Sequence, residues 1–152
     1  MNAHPSEQYE GQLMLFHSVL NYRDSQVIRL LHSADAIVIE RNVVHQEALD
    51  LITYVQGYMQ APVILTWDDD YPRLPPSNPA FAFWIANKGG LNPPPLQMLE
   101  KALHLADGFT TPSKKIRDDW MEAADGRAYW LPNVAPRGWY ETLPGPEQNG
   151  RI

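Results

Sequence analysis

Cysteine is absent from the 152 residues of this sequence. That absence excludes disulfides, thiolate nucleophiles and zinc sites built on cysteine. No apolar stretch approaches the roughly 20 residues that a helix needs to cross a bilayer. The opening residues, MNAHPSEQYEGQ, lack the basic start and the apolar run of a secretory signal. From these absences we expect a soluble cytoplasmic protein without a membrane span.

The sequence also lacks the short motifs of several enzyme classes. It contains neither the G-x-G-x-x-G nor the Walker pattern that cradles phosphate groups, and no G-x-S-x-G or H-E-x-x-H. The usual nucleotide-binding loop, the α/β-hydrolase elbow and the common zinc-protease site are therefore disfavoured. The formal net charge of −6 at pH 7 disfavours attraction to phosphate groups, so we expect no nucleic-acid partner.

What is present is a regular alternation of short apolar runs and helix-like segments. The apolar runs predict strands over residues 12–17, 35–40, 61–67, 107–112 and 127–133. Apolar residues at helical spacing predict helices over residues 24–34, 45–60, 95–106 and 113–124. The segment 72–95 contains seven of the fourteen prolines and is predicted to be a long irregular loop.

This order of segments predicts the fold class. Strands that are separated by helices cannot pair as hairpins, so they should form a parallel sheet with right-handed crossovers. We therefore expect an α/β protein with a Rossmann-like three-layer α/β/α domain and a mostly parallel sheet of about five strands. That domain covers residues 1–134, and residues 135–152 are predicted to be an irregular tail or the start of a linker.

Ligands of such folds bind beyond the carboxyl ends of the strands, which directs attention to the residues that follow each predicted strand. These candidates for lining a ligand cleft are His17, Arg41, Asp68, Asp69, Asp70, Thr111, Ser113 and Asn133. His17 is interpreted either as a general base or as a surface or capping residue. Arg41 either binds a phosphate or carboxylate group or forms a salt bridge with the acidic triplet Asp68–Asp70.

The acidic triplet admits three interpretations. Three adjacent carboxylates are costly to bury, so they must lie where water, a cation or hydrogen-bond donors reach them. Asp68 and Asp70 form an Asp-x-Asp pattern, which suits a divalent cation. Alternatively, one acid caps a turn, or the acids hydrogen-bond a ligand hydroxyl. Trp84, in the long loop, is the tryptophan best placed to stack on a sugar.

The order of four segments is more specific than any one of them. The segments ADAIVIER, APVILTWDDDYPRLPPSNP, LADGFTTPS and YWLPNVAP follow one another over about residues 34 to 134. In this order they resemble the N-terminal, acceptor-side domain of GT-B glycosyltransferases of the retaining, group-1 (GT4-like) kind. The matching positions are Arg41, Asp68–Asp70 with Leu74 and Pro75, Ala106–Ser113 and Leu131–Asn133.

The resemblance implies one half of a transferase. A complete GT-B enzyme has a second Rossmann-like domain that grips the nucleotide-sugar donor, and these residues hold no counterpart of it. The resemblance thus implies a truncated domain that is inactive alone, with no cofactor in this chain and the donor bound by the missing domain. Its implied partners are a sugar or glycan acceptor, and a second domain or a homodimer mate at the open cleft face.

Two other functions compete with this hypothesis. The first is a non-catalytic Rossmann-like module for binding or assembly. The second is a metal-dependent GT-A-type transferase that uses Asp68 and Asp70 as metal ligands. GT-B enzymes do not depend on an Asp-x-Asp metal site, so the resemblance argues against a metal at the triplet. It leaves the catalytic residues of this chain unknown.

Overall fold

A computed structural model of the protein describes residues 24–41 and 43–133. The strands within them are β1 (Ile37–Glu40), β2 (Val63–Thr66), β3 (Gly108–Thr111) and β4 (Ala128–Trp130). They form one four-stranded parallel sheet in chain order, β1-β2-β3-β4. The predicted α/β class and parallel sheet are confirmed, with one strand fewer than expected. The strand predicted over 12–17, with His17, and the tail predicted over 135–152 lie outside the described residues.

The α-helices of the described residues are α1 (Ser25–His32), α2 (Gln46–Tyr54), α3 (Phe81–Trp84), α4 (Pro95–Leu105) and α5 (Lys114–Trp120). A π-helical turn over Val55–Met59 continues α2, and a 3-10 turn covers Tyr71–Arg73. Each predicted helix is thus confirmed, although the one predicted over 113–124 already ends at Trp120. No helix in the described part of the chain has the length and apolar character that crossing a membrane requires.

Two of the predicted helices, 24–34 and 113–124, begin at Asp24 and Ser113, which are residue types that favour the N-cap position. The side chain of Asp24 accepts a hydrogen bond from the amide of Gln26 and so begins α1. The side chain of Ser113 accepts one from the amide of Ile116 and begins α5 directly beyond β3. In α4 the first residue is Pro95, whose missing N–H would have no partner in the first turn of a helix anyway.

The proline-rich segment 72–95 is not irregular throughout, which corrects the expectation from the sequence. The side chain of Asn78 accepts a hydrogen bond from the amide of Ala80 at 2.8 Å and fixes the turn that leads into α3. Trp84, at the end of α3, is only 9% exposed and stacks on Tyr71, with the ring centroids 3.9 Å apart. Trp84 therefore packs in the core, and its ring is not available to a sugar.

The helices that connect successive strands lie on one face of the sheet. Each strand is added on the same side of the one before it, so right-handed crossovers put α2, α4 and α5 on a common face. Burial alternates accordingly, because Val63, Leu65 and Phe109 are fully buried whereas Val38 and Tyr129 point the other way and are exposed. The opposite face carries Val38, Glu40, Ile64, Thr66, Gly108, Thr110, Tyr129 and Leu131.

Candidate functional site

The carboxyl ends of the four parallel strands meet at one edge of the sheet, which we call the carboxyl edge. Arg41 follows β1 directly, and the acidic triplet Asp68–Asp70 comes two residues after the end of β2. The amide of Arg41 donates to the carbonyl of Thr66 at 3.1 Å, so the two strands remain paired up to the point where the polar residues begin. The fold therefore brings Arg41 and the triplet together, as the sequence predicts.

The guanidinium of Arg41 lies between two carboxylates. It donates a hydrogen bond to Glu40 and lies 3.7 Å from an Asp68 carboxylate oxygen. The hydrogen bond to Glu40 raises the pKa of Arg41, and the charge of Asp68 acts in the same direction. The predicted salt bridge between Arg41 and the triplet is therefore confirmed for Asp68. The two side chains are 43% and 52% exposed, so water competes with this pair and a ligand group has access to both.

Asp70 belongs to a second group of charges, which we call the ion cluster: Asp70, Arg73, Lys115 and Asp119. Arg73 lies 3.1 Å from an Asp70 oxygen and also contacts Asp119. Lys115 reaches the same two carboxylates at 3.3 Å and 2.6 Å. Hydrogen bonds from Arg73 and Lys115 lower the pKa of Asp119 to about 2. The ion cluster thus ties the turn after β2 to helix α5.

Asp69 is the member of the triplet that makes no ion pair or hydrogen bond with the described residues, and it is exposed. Its charge acts on the neighbouring Tyr71, whose side chain is almost completely buried. Burial, and then the charge of Asp69, raise the pKa of Tyr71 to about 12. Asp69 therefore has its full hydrogen-bonding capacity open to a ligand.

The candidates beyond β3 and β4 have other roles or positions. Thr111 is only 1% exposed, and its hydroxyl accepts a hydrogen bond from the amide of Ser113 at 3.3 Å. Ser113 in turn caps α5, so both side chains shape the turn between β3 and α5. Asn133 is exposed, three residues beyond the end of β4. Thr111 and Ser113 thus hold the backbone of the edge, and the Thr111 hydroxyl is buried away from a ligand.

Buried aromatic side chains pack against the backbone of the carboxyl edge. Trp67, between β2 and the triplet, is 2% exposed and packs on Phe109, with the ring centroids 4.1 Å apart. Trp120 of α5 meets Trp67 edge to face, with the ring centroids 5.7 Å apart and an interplanar angle of 86°. The indole nitrogens of Trp67 and Trp120 are buried and have no hydrogen-bond partner among residues 24–41 and 43–133. This packing fixes the backbone from which the triplet projects.

A groove of about 430 Å³ lies between α4 and α5. Its walls include Arg73 and Asp119 of the ion cluster, Glu100 and His104 of α4, and Trp120. Sequence reasoning missed both the groove and the ion cluster. The i,i+4 spacing of Lys115 and Asp119 was an available signal for part of the cluster. Nothing in the sequence places Arg73 beside α5, because that contact depends on how the turn after β2 packs.

The arrangement at the carboxyl edge is suited to hydrogen bonding rather than to holding a metal ion. Asp68 faces Arg41, while Asp70 faces Arg73 and Lys115, so the two acids of the Asp-x-Asp pattern are directed at different cations. Residues 24–41 and 43–133 contain no group of three or more His, Cys, Asp or Glu side chains placed to hold a metal. A comparison of the chain with models of protein families and with curated proteins found no match.

Proposed function

We propose that this chain is the acceptor-side domain of a GT-B-type glycosyltransferase. In this proposal it is a Rossmann-like α/β unit, with α2, α4 and α5 on one face of its sheet, that holds a sugar or glycan acceptor, and a second domain binds the nucleotide-sugar donor. The observation that supports the proposal best is the position of the four segments that resemble this family. Each contains all or part of one strand of the sheet, and the four strands are adjacent, parallel and in chain order.

The chemistry of the carboxyl edge fits a polyhydroxylated ligand. Sugar hydroxyls both donate and accept hydrogen bonds, and such bonds are strongest when the partner is charged. Asp69 offers a carboxylate with no partner in the described residues, and Asp68 and Arg41 are joined only by a half-exposed pair at 3.7 Å. We assign these three side chains to the acceptor. Asp70 we assign to positioning, because the ion cluster already occupies its oxygens.

The proposal implies no turnover by this chain alone. Glycosyl transfer needs charged groups that stabilise the departing diphosphate of the donor. The cations that the described residues place near the triplet are Arg41, Arg73 and Lys115, and each of them already faces a carboxylate. We therefore expect the purified protein to leave nucleotide-sugars unchanged, with or without a divalent cation.

The direct test is binding of saccharides to the isotope-labelled protein, followed by NMR. A panel of mono- and oligosaccharides should include ligands that shift the amide resonances of Asp68–Asp70. Asp69→Asn should weaken that binding about tenfold, the value of one charge-assisted hydrogen bond. The matched control is Asp35→Asn, because Asp35 is an exposed acid that precedes β1, at the opposite edge of the sheet.

Three results would count against the proposal. A panel without any binder, or equal affinity for Asp69→Asn and Asp35→Asn, would remove the acceptor site from this edge. Turnover of a nucleotide-sugar by the purified chain would show that it is not half of an enzyme. A stable dimer through the carboxyl edge, with no saccharide binding, would favour the non-catalytic assembly module.

A further inference from the structure

The face of the sheet opposite α2, α4 and α5, called the second face below, has a polar row next to the carboxyl edge. Side chains alternate between the two faces along a strand, so residues that are paired in register and share a face lie side by side. Glu40, Thr66 and Thr110 are paired in this way on β1, β2 and β3, and Thr110 is paired with Tyr129 of β4. With strands about 4.8 Å apart, this row crosses the four strands over about 14 Å.

The row has hydrogen-bonding groups that are open to a ligand. Thr66 and Thr110 are half-buried, and their hydroxyl groups have no partner among the residues that the structure describes. Both hydrogen bonds from Arg41 go to one oxygen of Glu40, which leaves the second oxygen without a partner among the same residues. A hydroxyl group both donates and accepts, and a carboxylate accepts. The row is therefore suited to a ligand that itself carries many hydroxyl groups.

A second row lies beside the first, one step towards the amino ends of the strands, and it is apolar. Val38 of β1 and Ile64 of β2 are neighbours in register, and Gly108 follows them on β3. A methyl group added at Gly108 would lie 3.1 Å from the end of Ile64 and 3.5 Å from the ring of Tyr129. The ring of Tyr129 thus leans over Gly108 along the sheet, and the residue is 56% exposed. Such a ring offers an apolar face to a flat ligand group.

A chain of sugars matches a surface that is polar in one row and apolar in the next. A sugar ring carries hydroxyl groups around its edge and C–H groups on its faces, so it can hydrogen-bond and pack on an aromatic ring at the same time. The polar row begins at Glu40, which is bonded to Arg41, a side chain assigned above to the acceptor. We propose that the acceptor is a linear oligosaccharide, with one sugar at the carboxyl edge and further sugars along the second face on Thr66, Thr110 and Tyr129. This inference rests on the proposed function and adds the class of acceptor to it.

The test compares saccharides of one series by their length. The isotope-labelled full chain is titrated with the mono-, di- and tetrasaccharides of the malto, cello and manno series, and amide resonances are followed by NMR. In the series that binds, the tetrasaccharide should have at least about ten times the affinity of the monosaccharide, through its additional hydrogen bonds and ring contact. It should also shift the amides of Thr66, Thr110 and Tyr129, which the monosaccharide should leave in place.

Variants on the second face measure the contribution of the two rows. Tyr129→Ala should remove most of the gain in affinity from monosaccharide to tetrasaccharide. Thr66→Val nearly keeps the shape of the side chain and should reduce the gain about fivefold, the value of one hydrogen bond, which provides a test even if Tyr129→Ala fails to fold. The matched control is Tyr58→Ala, because Tyr58 is 78% exposed on the π-helical turn that continues α2, on the other side of the sheet.

The outcomes separate this inference from the proposed function. Equal affinities of the mono- and tetrasaccharide, both weakened by Asp69→Asn, would overturn the inference and leave the proposed function intact. Equal affinities of Tyr129→Ala and Tyr58→Ala for the tetrasaccharide would also overturn it. Tetrasaccharide binding that depends on Tyr129 and not on Asp69 would support a site on the second face and contradict the proposed acceptor site. The absence of a binder in all three series would contradict both.

Discussion

The two buried indole nitrogens predict an unusual response to substitution of Trp67. Trp67 is 2% exposed. Truncation of so buried an aromatic side chain normally lowers the free energy of unfolding by several kcal/mol. Trp67→Phe removes two ring carbons and the indole nitrogen, and it keeps a ring against Phe109. Loss of the carbons lowers the free energy of unfolding by about 1.5 kcal/mol, at about 0.8 kcal/mol each.

The removal of the nitrogen acts in the opposite direction. A buried donor without a partner destabilises the folded state by about 1–3 kcal/mol, and phenylalanine has no such donor. The two effects largely cancel, so we expect Trp67→Phe to change the free energy of unfolding by no more than about 1.5 kcal/mol. Leu65→Ala, at a neighbouring fully buried position without any polar atom, should lose about 2–5 kcal/mol.

Urea unfolding with a constant m-value measures these differences. Trp130→Phe is the matched control, since Trp130 donates its indole N–H to the carbonyl of Pro112 at 3.0 Å. Trp130 is 43% exposed. Its substitution should lower the free energy of unfolding by about 1 kcal/mol, because this hydrogen bond is lost. A loss for Trp67→Phe as large as that for Leu65→Ala would refute the reasoning, because it would mean that the indole N–H is satisfied in solution.

Three further predictions concern ionisation and backbone conformation. The pKa of Asp119 falls from 3.8 to about 2 on folding. Its stabilising effect is therefore complete above the unfolded value and is lost as the pH falls through about 2. Carboxyl NMR of the wild type measures the pKa, and acid unfolding of Asp119→Asn measures the stabilising effect. The pKa of Tyr71 rises from 10.0 to about 12, so stability should fall between those pH values, and Tyr71→Phe should abolish that part of the alkaline unfolding curve. Gly126 has a φ of +80°, so Gly126→Ala should lower the free energy of unfolding, measured in urea, by about 1 kcal/mol or more. Gly57→Ala is the control and should not lower it, because Gly57 lies in the π-helical turn and no atom lies near the added methyl group.

The elements that were predictable are those with a local cause. Apolar runs located β1 to β4, helical spacing located α2 and α4, and the caps of α1 and α5 are read from Asp24 and Ser113. The parallel order follows from the alternation of strands and helices. The position of Arg41 and the triplet at one edge follows from that order, because parallel strands end on the same side.

The features that were missed depend on contacts between distant residues. Arg73 and Asp119 are 46 positions apart in the chain, and their ion pair exists only because the turn after β2 packs beside α5. Trp84 lies among prolines, which makes its segment appear irregular, yet its ring is buried by Tyr71. The role of Thr111 was also hidden, because a hydroxyl that shapes a turn and one that binds a ligand are the same residue type in a sequence.

The order of the strands also has a consequence for how the protein is made. Because β1 to β4 neighbour one another in the sheet as they do along the chain, each parallel pair can form once the next strand has left the ribosome. None of these four strands has to be inserted between two that are already paired, and the separation of paired residues stays close to the length of one crossover. The described sheet is therefore suited to folding during synthesis, strand by strand from β1 to β4.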